Sequence, residues 1–289
     1  MTVRNLEPYF DWAGLDGFAY PLDPQGIPLA RFNRKIGWQH NPITIAQYGL
    51  YRLHKWADGG ADEDRAAALR CGLWLKQNLA PWREGQFAWI YRYDLSFYGP
   101  RAPWISAMAQ GEGISLLLRL AKMQPEQEWT AAACQAFTPF LHTVEHGGVV
   151  DRLDSGDVIF EEYPTQPPSH VLNGFIFALF GVFDLARHTE DQSAQALCRQ
   201  AVKTLQHNWQ RWDTGFWTRY DLHPTGRLAS PMYHELHIRL LQQTAERFNA
   251  ADLSAVAARW RAMQKKPGCW MRMGGGKAFE KIRLLGRRQ

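Results

Sequence analysis

From residue 43 onward, apolar side chains recur every three to four positions, with polar residues between them. This spacing is typical of amphipathic helices that bury one face. It predicts eight helices, at about 43–57, 62–79, 105–122, 127–143, 169–187, 192–211, 231–247 and 252–264. The connections within successive pairs are short, so we expect four antiparallel helix pairs.

Short aromatic segments with strand-like alternation lie between the predicted pairs. Residues 87–95 and 215–222 both end in an aromatic run closed by Tyr-Asp-Leu, and residues 149–163 and 268–272 take the same place after the second and fourth pairs. A helix pair plus a hairpin therefore repeats about every 60 residues, and stacked units bury faces that none buries alone. The predicted fold is mainly α: an α/α toroid, or incomplete barrel of about four helix hairpins, with short β-hairpins between the pairs. We expect the functional residues on the loops at one end.

Residues 1–41 lack the helical period and are rich in turns and aromatic residues. We interpret them as an N-terminal arm, in which 20–22 and 27–29 form a hairpin of edge strands around a tight turn. The helical domain at 42–270 carries the candidate site, and 271–289 form a basic C-terminal tail. The arm could close the groove of its own chain or reach across a dimer. It has no evident core of its own, so we expect the dimer. The aromatic residues of the arm include Tyr9, Phe10, Trp12, Phe18, Tyr20 and Trp38.

Composition favours an acidic partner. The 289 residues carry a formal net charge of +5, and aromatic residues make up 13 %, with 13 tryptophans. Such aromatic enrichment suits a groove in which sugar rings lie on aromatic faces, although tryptophan also fills helical cores. No fingerprint of a nucleic-acid module accompanies the positive charge. We therefore expect an acidic oligo- or polysaccharide as partner, and no nucleic acid.

Several functional classes find no support in the sequence. The four cysteines are widely spaced, at 71, 134, 198 and 269, and no metal or cofactor is predicted. The run from His234 to His237 lacks the HExxH spacing of a zinc protease, and 274–277 lacks the spacing of a P-loop and is interpreted as a flexible turn. No apolar run approaches the ~20 residues of a membrane helix. A cytoplasmic protein without a transmembrane segment is the expectation.

Two adjacent carboxylates and a phenol, at Glu161, Glu162 and Tyr163, end an extended apolar segment. Prolines at 164, 167 and 168 stiffen the turn that follows. A stiff loop suits proton transfer, because a base acts only within hydrogen-bond reach of its proton. From the residue types alone, first-turn charge that complements a helix dipole is the commoner explanation of such a pair.

This stretch, 161–165 with 169–175, resembles the signature of the D-glucuronyl C5-epimerase family, enzymes that invert C5 of glucuronate within heparosan-type polysaccharides. Further blocks resemble the family in the family's order: 42–50, 106–111, 213–215 with 220–222, and 233–234 with 237–238. Together these blocks span about residues 26–245. The β-rich domain that normally follows the first block in the family is not evident, because helices follow directly.

The resemblance implies that Glu162, Tyr220 and Tyr233 are catalytic and that Tyr163 belongs to the same active-site motif. C5 inversion removes a proton beside a carboxylate and returns one to the opposite face. It requires a base, an opposed acid and a group that neutralises the developing charge. We expect Glu162 and Tyr233 to transfer the protons and Tyr220 to donate to the substrate carboxylate.

Substrate contacts are expected from aromatic, amide and cationic residues near these blocks. His223 stands where the vertebrate pattern has an arginine, so that charge would come from Arg219, Arg92, Arg101 or Arg239. Ile105 and Asn41 replace two aromatic residues of the family pattern. Gln47 and Gln110 are equally consistent with sugar binding and with capping of a buried turn. The predicted substrate-binding residues are Tyr48, Gln47, Trp104, Gln110, Arg101, Asn173, Arg219, His237, Tyr91 and Trp217.

Three functions remain open from the sequence. The first is epimerisation of a uronate within a saccharide chain by a metal-free two-base mechanism. The second is β-elimination, in which the carbanion expels the 4-linked sugar and the enzyme is a lyase. The third is a non-catalytic glycan-binding or scaffold protein, against which the presence of opposed proton donors argues.

Overall fold

The computed structural model describes residues 9–10, 12, 19–95, 99–125 and 128–286, with side chains to residue 281. Phe18, Arg287 and Arg288, parts of the predicted arm and tail, lie outside the described residues. Nine helices are described: α1 (Pro42–Ala57), α2 (Asp62–Asn78), α3 (Ala107–Met123), α4 (Trp129–Phe137), α5 (Leu172–Thr189), α6 (Gln192–Asn208), α7 (Pro231–Phe248), α8 (Ala251–Gln264) and α9 (Pro267–Gly286). The strands in the same residues are β1 (Ala30–Arg31), β2 (Trp38–Gln39), β3 (Ala80–Arg83), β4 (Gln86–Ala88), β5 (Val150–Arg152) and β6 (Val158–Phe160).

The helices form two layers. Helices α1, α3, α5 and α7 pack side by side, and each also packs against the even-numbered helix that follows it. Helix α5 is apolar on every side and buried over most of its length, as expected for a helix at the centre of a layer. The predicted α/α toroid built from four helix hairpins is confirmed.

Small residues allow the two central helices to approach closely. A Cβ atom on Gly111 of α3 would lie 2.5 Å from the Cα atom of Ala178 on α5, and one on Gly181 would lie 2.0 Å from the Gly111 carbonyl oxygen. The two backbones are therefore in contact, which a larger side chain at these positions would prevent. Gly111 thus serves helix packing, and Gly113 of the same helix makes room for the Trp89 ring.

The predicted hairpins are present after the first two helix pairs. After the third pair, the loop, which is described in full, contains isolated β-bridges and no paired strands of its own. Strands β3 and β4 pair antiparallel, as do β5 and β6. In the loop between α6 and α7, single bridges join Asp213 to Thr218 and Arg219 to Leu228. The predicted fourth helix, 127–143, is shorter as α4, because a 3₁₀ turn with Pro139 follows it.

Helix α9 replaces both the strand predicted at 268–272 and the flexible turn predicted at 274–277, so these two predictions are wrong. Three glycines in a row cost about 1 kcal/mol each in a helix interior. Packing offsets that cost: a Cβ atom on Gly276 would lie 2.6 Å from Leu228 Cδ1, so the glycine admits Leu228 to the helix surface. Lys277 and Glu280 bind the Leu228 carbonyl and N–H.

The described part of the arm packs on its own chain. Asp23 Oδ1 accepts hydrogen bonds from the N–H groups of Gln25 and Ile27, which forms the predicted turn, and the predicted hairpin is reduced to one bridge between Leu22 and Pro28. Tyr9 and Phe10 are buried against Phe177 of α5. The homodimer stays a prediction. Within the described ranges, no helix combines the length and apolar character needed to cross a bilayer.

Candidate active site

Glu161 anchors the loop between β6 and α5. Its carboxylate accepts hydrogen bonds from the Ser169 hydroxyl at 2.7 Å and from the His170 N–H at 3.0 Å, and its carbonyl accepts from the Ala107 N–H at 3.0 Å. The His170 ring also lies 2.9 Å from an Asp151 oxygen. The two carboxylates therefore have different environments. Glu161 binds residues of its own loop, and Glu162 projects towards the helices.

Glu162 is enclosed at the start of α5, with 3 % of its surface exposed. Its Oε2 would lie 2.3 Å from a Cβ atom on Gly174, so the missing side chain makes room for the carboxyl group. Burial raises the pKa of Glu162 to about 7, opposed by a hydrogen bond that the Tyr163 hydroxyl donates. A carboxyl group with a pKa near the operating pH is suited to general base catalysis.

Tyr220 and Tyr233 form a pair opposite this loop. Tyr220 lies in the loop between α6 and α7, where its carbonyl accepts from the Leu172 N–H at 3.2 Å. Tyr233 lies in the first turn of α7, which Ser230 caps. The two ring centres are 4.7 Å apart and the Tyr220 hydroxyl donates to the Tyr233 oxygen. Burial raises the pKa of both, and the negative charge of Glu162 raises them further.

The structure thus brings the four predicted catalytic residues into one electrostatically coupled cluster. Tyr220 differs from expectation in one respect, because its hydroxyl is directed at Tyr233. This hydrogen bond lowers the pKa of Tyr233 relative to burial alone, which favours Tyr233 over Tyr220 as the group that exchanges a proton.

Arg227 is a cation of the site that the sequence interpretation missed. Its guanidinium lies 5.3 Å from the Tyr220 ring centre, forms an ion pair with Asp221 and opposes the rise in the pKa of Tyr233. The arginines expected from the sequence were Arg219, Arg92, Arg101 and Arg239. A turn signal was available, since Gly226, at φ 64°, reverses the chain so that the Tyr220 N–H binds the Arg227 carbonyl at 2.8 Å.

An aromatic wall adjoins Tyr163. Tyr91 and Trp104 are stacked at 4.0 Å, and the Trp104 ring centre lies 5.9 Å from that of Tyr163. The Tyr91 hydroxyl donates to Asn41 Oδ1 at 2.9 Å, and Asn41 also caps α1. Tyr91 and Trp104 are 2 % and 5 % exposed, and their predicted contact with substrate stays a prediction. Asn41 supports Tyr91 through this hydrogen bond.

Gln110 is corrected from a predicted substrate contact to a structural residue. It is fully enclosed, its amide nitrogen donates to the carbonyls of Phe87 and Ala136, and its oxygen accepts from the Trp89 N–H. All its principal hydrogen-bonding capacity is used within the protein. Of the two explanations left open, capping of buried backbone is the one that the structure supports.

Trp217 and His237 are corrected in the same way, since each is 0 % exposed. Trp217 stacks on His234 at 3.9 Å and donates to the Ala229 carbonyl. The His237 ring lies 3.1 Å from the Thr218 hydroxyl, and burial lowers its pKa to about 3, so it is neutral at physiological pH. Both residues pack beneath the loop that carries Tyr220.

The remaining predicted substrate-binding residues range from buried to exposed. Tyr48 is buried against Tyr20 of the arm, at 6.4 Å, and Asn173 is buried with its Oδ1 atom unpartnered among the described residues. Arg101 is exposed and Arg219 is partly exposed, and these four residues stay predictions. Of the other arginines considered, Arg92 is exposed, and Arg239 forms an ion pair with Glu235 at 2.8 Å.

Gln47 donates to Glu112 Oε1 at 2.9 Å, and Glu112 was missed by the sequence interpretation. Glu112 lies on α3, is fully buried, and has a pKa far above its usual range because of burial. Burial of this kind favours the neutral form of the carboxyl group over the ionised form.

One group of side chains has the composition of a metal site. Ligand atoms of Asp151, Glu161 and His170 lie within 4.8 Å of one another. Imidazole with two carboxylates suits zinc or a similar divalent ion. In the described geometry the same atoms satisfy each other by hydrogen bonds, and Glu161 additionally binds Ser169. These side chains thus hold the loop through hydrogen bonds to one another and to Ser169.

Comparison with protein families decides the classification. The family described as D-glucuronyl C5-epimerase C-terminus matches residues 83–262, a range that includes Glu162, Tyr163, Tyr220 and Tyr233. The chain belongs to this family.

Relatives of this epimerase-family chain differ in length. D-glucuronyl C5-epimerase from Caenorhabditis elegans is 35 % identical over 174 residues, which is 54 % of this chain and 28 % of the relative. A protein of Methanocaldococcus jannaschii is 26 % identical over 219 residues, 70 % of each chain. The family member described here therefore spans about a quarter of the length of the nematode enzyme.

Solved structures support the fold of the family member. A UGL variant with dGlcA-Glc-Rha-Glc is similar, with a TM-score of 0.50 at 15 % identity, and the match covers 76 % of this chain and 61 % of that one. At this level of identity the likeness concerns the α/α toroid and carries nothing about the reaction.

Proposed function

We propose that the protein converts D-glucuronate to L-iduronate residues within an acidic oligo- or polysaccharide by abstracting and returning the C5 proton. The observation that carries the proposal is the convergence of Glu162 with the Tyr220–Tyr233 pair, delivered from two loops and a helix start. Membership of the family supports the same reaction.

The first step is proton abstraction. Ionised Glu162 takes the C5 proton, the C5–H bond breaks, and its electrons move onto the substrate carboxylate. Tyr163, which hydrogen-bonds to Glu162, holds the carboxylate in place. The enclosed setting strengthens these interactions, because few waters compete with them.

The second step is reprotonation from the opposite face. The Tyr233 hydroxyl gives its proton to C5, and the resulting phenolate is stabilised by the hydrogen bond from Tyr220 and the charge of Arg227. The cycle closes when Glu162 releases its proton to solvent and Tyr233 takes one up. In the reverse direction the two groups exchange roles.

The test is deuterium incorporation at C5. The protein is incubated in heavy water with heparosan oligosaccharides, and the products are followed by NMR and mass. We expect deuterium at C5 together with iduronate signals, and the loss of both in Glu162→Gln by about 10³-fold. Asp154→Asn, at an exposed turn, is the matched control.

Two other results would reject the proposal. A product that absorbs in the ultraviolet as an unsaturated uronate would make the enzyme a lyase. Saccharide binding without exchange in any uronate chain would favour a non-catalytic binding protein.

A further inference from the structure

A cavity adjoins the aromatic wall at Tyr91. Its volume is about 380 Å³, within the range of about 300–1,000 Å³ of small-molecule sites. It is formed where the end of β2, the start of α1 and the end of α2 meet the segment after β4. The side chains used in the argument are Gln39, His40, Trp74, Asn78, Arg92 and Tyr91.

The chemistry of this cavity suits a sugar. Trp74 is partly exposed and provides an aromatic face, and the His40 ring lies 5.6 Å from it, held by Asp23 at 2.7 Å. The amide nitrogens of Gln39 and Asn78 each donate one hydrogen bond to a backbone carbonyl, which leaves a second N–H and the amide oxygen of each side chain for a ligand. Arg92, which is exposed, adds a guanidinium to the lining. Among the described lining residues none is acidic. An aromatic face ringed by amides and a cation recognises a sugar of a negatively charged chain.

A chain of ring contacts connects this cavity to the catalytic cluster. Tyr91 lines the cavity and also stacks on Trp104, which in turn contacts Tyr163 beside Glu162. A linear substrate with its reacting uronate at Glu162 would place a neighbouring sugar along this wall.

We propose that this cavity, the Trp74 subsite, binds another sugar residue of the same uronate-containing chain whose C5 reacts at Glu162. The inference rests on the proposed function and deepens it, because it makes chain length a determinant of affinity. The protein then binds a polysaccharide through several of its sugar residues, and only one of these is positioned for proton transfer.

The test compares Trp74→Ala with wild type on heparosan oligosaccharides of increasing length, with C5 deuterium incorporation as the readout. In wild type, KM falls as the chain grows long enough to reach the subsite. In Trp74→Ala we expect KM for the long oligosaccharides to rise about tenfold, with kcat unchanged and the shortest reactive oligosaccharide unaffected. Trp74→Phe restores part of the affinity, since it keeps an aromatic face.

Leu73→Ala is the matched control, because Leu73 is the preceding residue of the same helix, is exposed and does not line the cavity. An equal rise in KM at every length, or none at any length, would overturn the subsite. Failure of the proposed function is recognised separately, as absence of exchange in wild type. In that case calorimetry with a heparosan octasaccharide decides the subsite, and unchanged affinity in Trp74→Ala rejects it.

Discussion

The two loops that carry the catalytic candidates are held in different ways. The loop between β6 and α5 is anchored by its own residues, since Glu161 binds Ser169 and His170 a few positions later. The loop between α6 and α7 depends on a distant segment, since Lys277 and Glu280 of α9 bind Leu228. The carboxylate anchor of the first loop is thus local, and that of the second loop requires the end of the described chain.

Replacing the local anchor should have the largest effect. Glu161→Ala leaves the Ser169 hydroxyl and the His170 N–H without their buried acceptor, at a cost of about 3 kcal/mol in the free energy of unfolding. We expect C5 exchange to fall more than about 100-fold, because Glu162 is the next residue. Denaturant unfolding and deuterium incorporation measure the two effects. Glu161→Gln, which keeps an acceptor, should lose less of both, and equal losses would argue against the anchor.

Gly174→Ala tests the position of the Glu162 carboxyl group and leaves the hydrogen-bonding groups of Glu161 in place. In Gly174→Ala the new Cβ atom would lie 2.3 Å from Glu162 Oε2 and displace the carboxyl group. We expect kcat to fall by about 100-fold, because proton transfer is sensitive to shifts of about 1 Å. Gly268→Ala is the control, since nothing lies within 4 Å of its added Cβ. Full activity in Gly174→Ala would show that Glu162 is not the base.

The remote anchor should contribute less than the local one. Glu280→Ala removes the acceptor of the Leu228 N–H and weakens the hold of α9 on the loop that carries Tyr220 and Arg227. We expect kcat to fall about tenfold and the free energy of unfolding by about 1–2 kcal/mol. Lys281→Ala, exposed on the same helix, is the comparison. A loss as large as that of Glu161→Ala would mean that the two loops are equally dependent on their anchors.

The pH dependence gives the mildest test. Glu162, with a pKa of about 7, must be ionised to act as the base, so kcat/KM should rise with pH and level off above about 7. The free energy of unfolding depends on pH in the opposite direction. The folded protein holds protons on Glu161 and Glu162 that the unfolded chain releases above its ordinary carboxyl pKa of 4.5. Stability should therefore fall as pH rises from about 4.5 to 7.

Glu162→Gln should make this fall in stability shallower, because the amide side chain that replaces the carboxyl group does not titrate. Unfolding curves at several pH values measure it. An activity profile that is flat between about pH 5 and 8 would contradict the role of Glu162 as the base.

Local patterns in the sequence were enough to predict the eight helices of the toroid, the loops on which Glu162 and Tyr220 lie, and the helix start that carries Tyr233. Helical periodicity is a local property, and the family blocks are short continuous runs, so both can be recognised without knowing which segments meet. Residues whose role depends on burial could not be assigned in this way. Gln110 and His237 look like polar groups available to a substrate, and the packing of neighbouring elements is what shows that they are enclosed.

Other parts of the site depend on contacts between segments that are distant in sequence. Only the tertiary structure shows these contacts. The glycines at 274–276 disfavour a helix by local propensity, yet α9 forms because Gly276 admits Leu228, some fifty residues away in sequence. Arg227 becomes a site cation because the chain reverses at Gly226, and Glu112 approaches Glu162 because α3 and α5 are in backbone contact. The contacts of Gly276 with Leu228 and of α3 with α5 are long-range packing, whose free energy no local pattern records, whereas the reversal at Gly226 is a local turn.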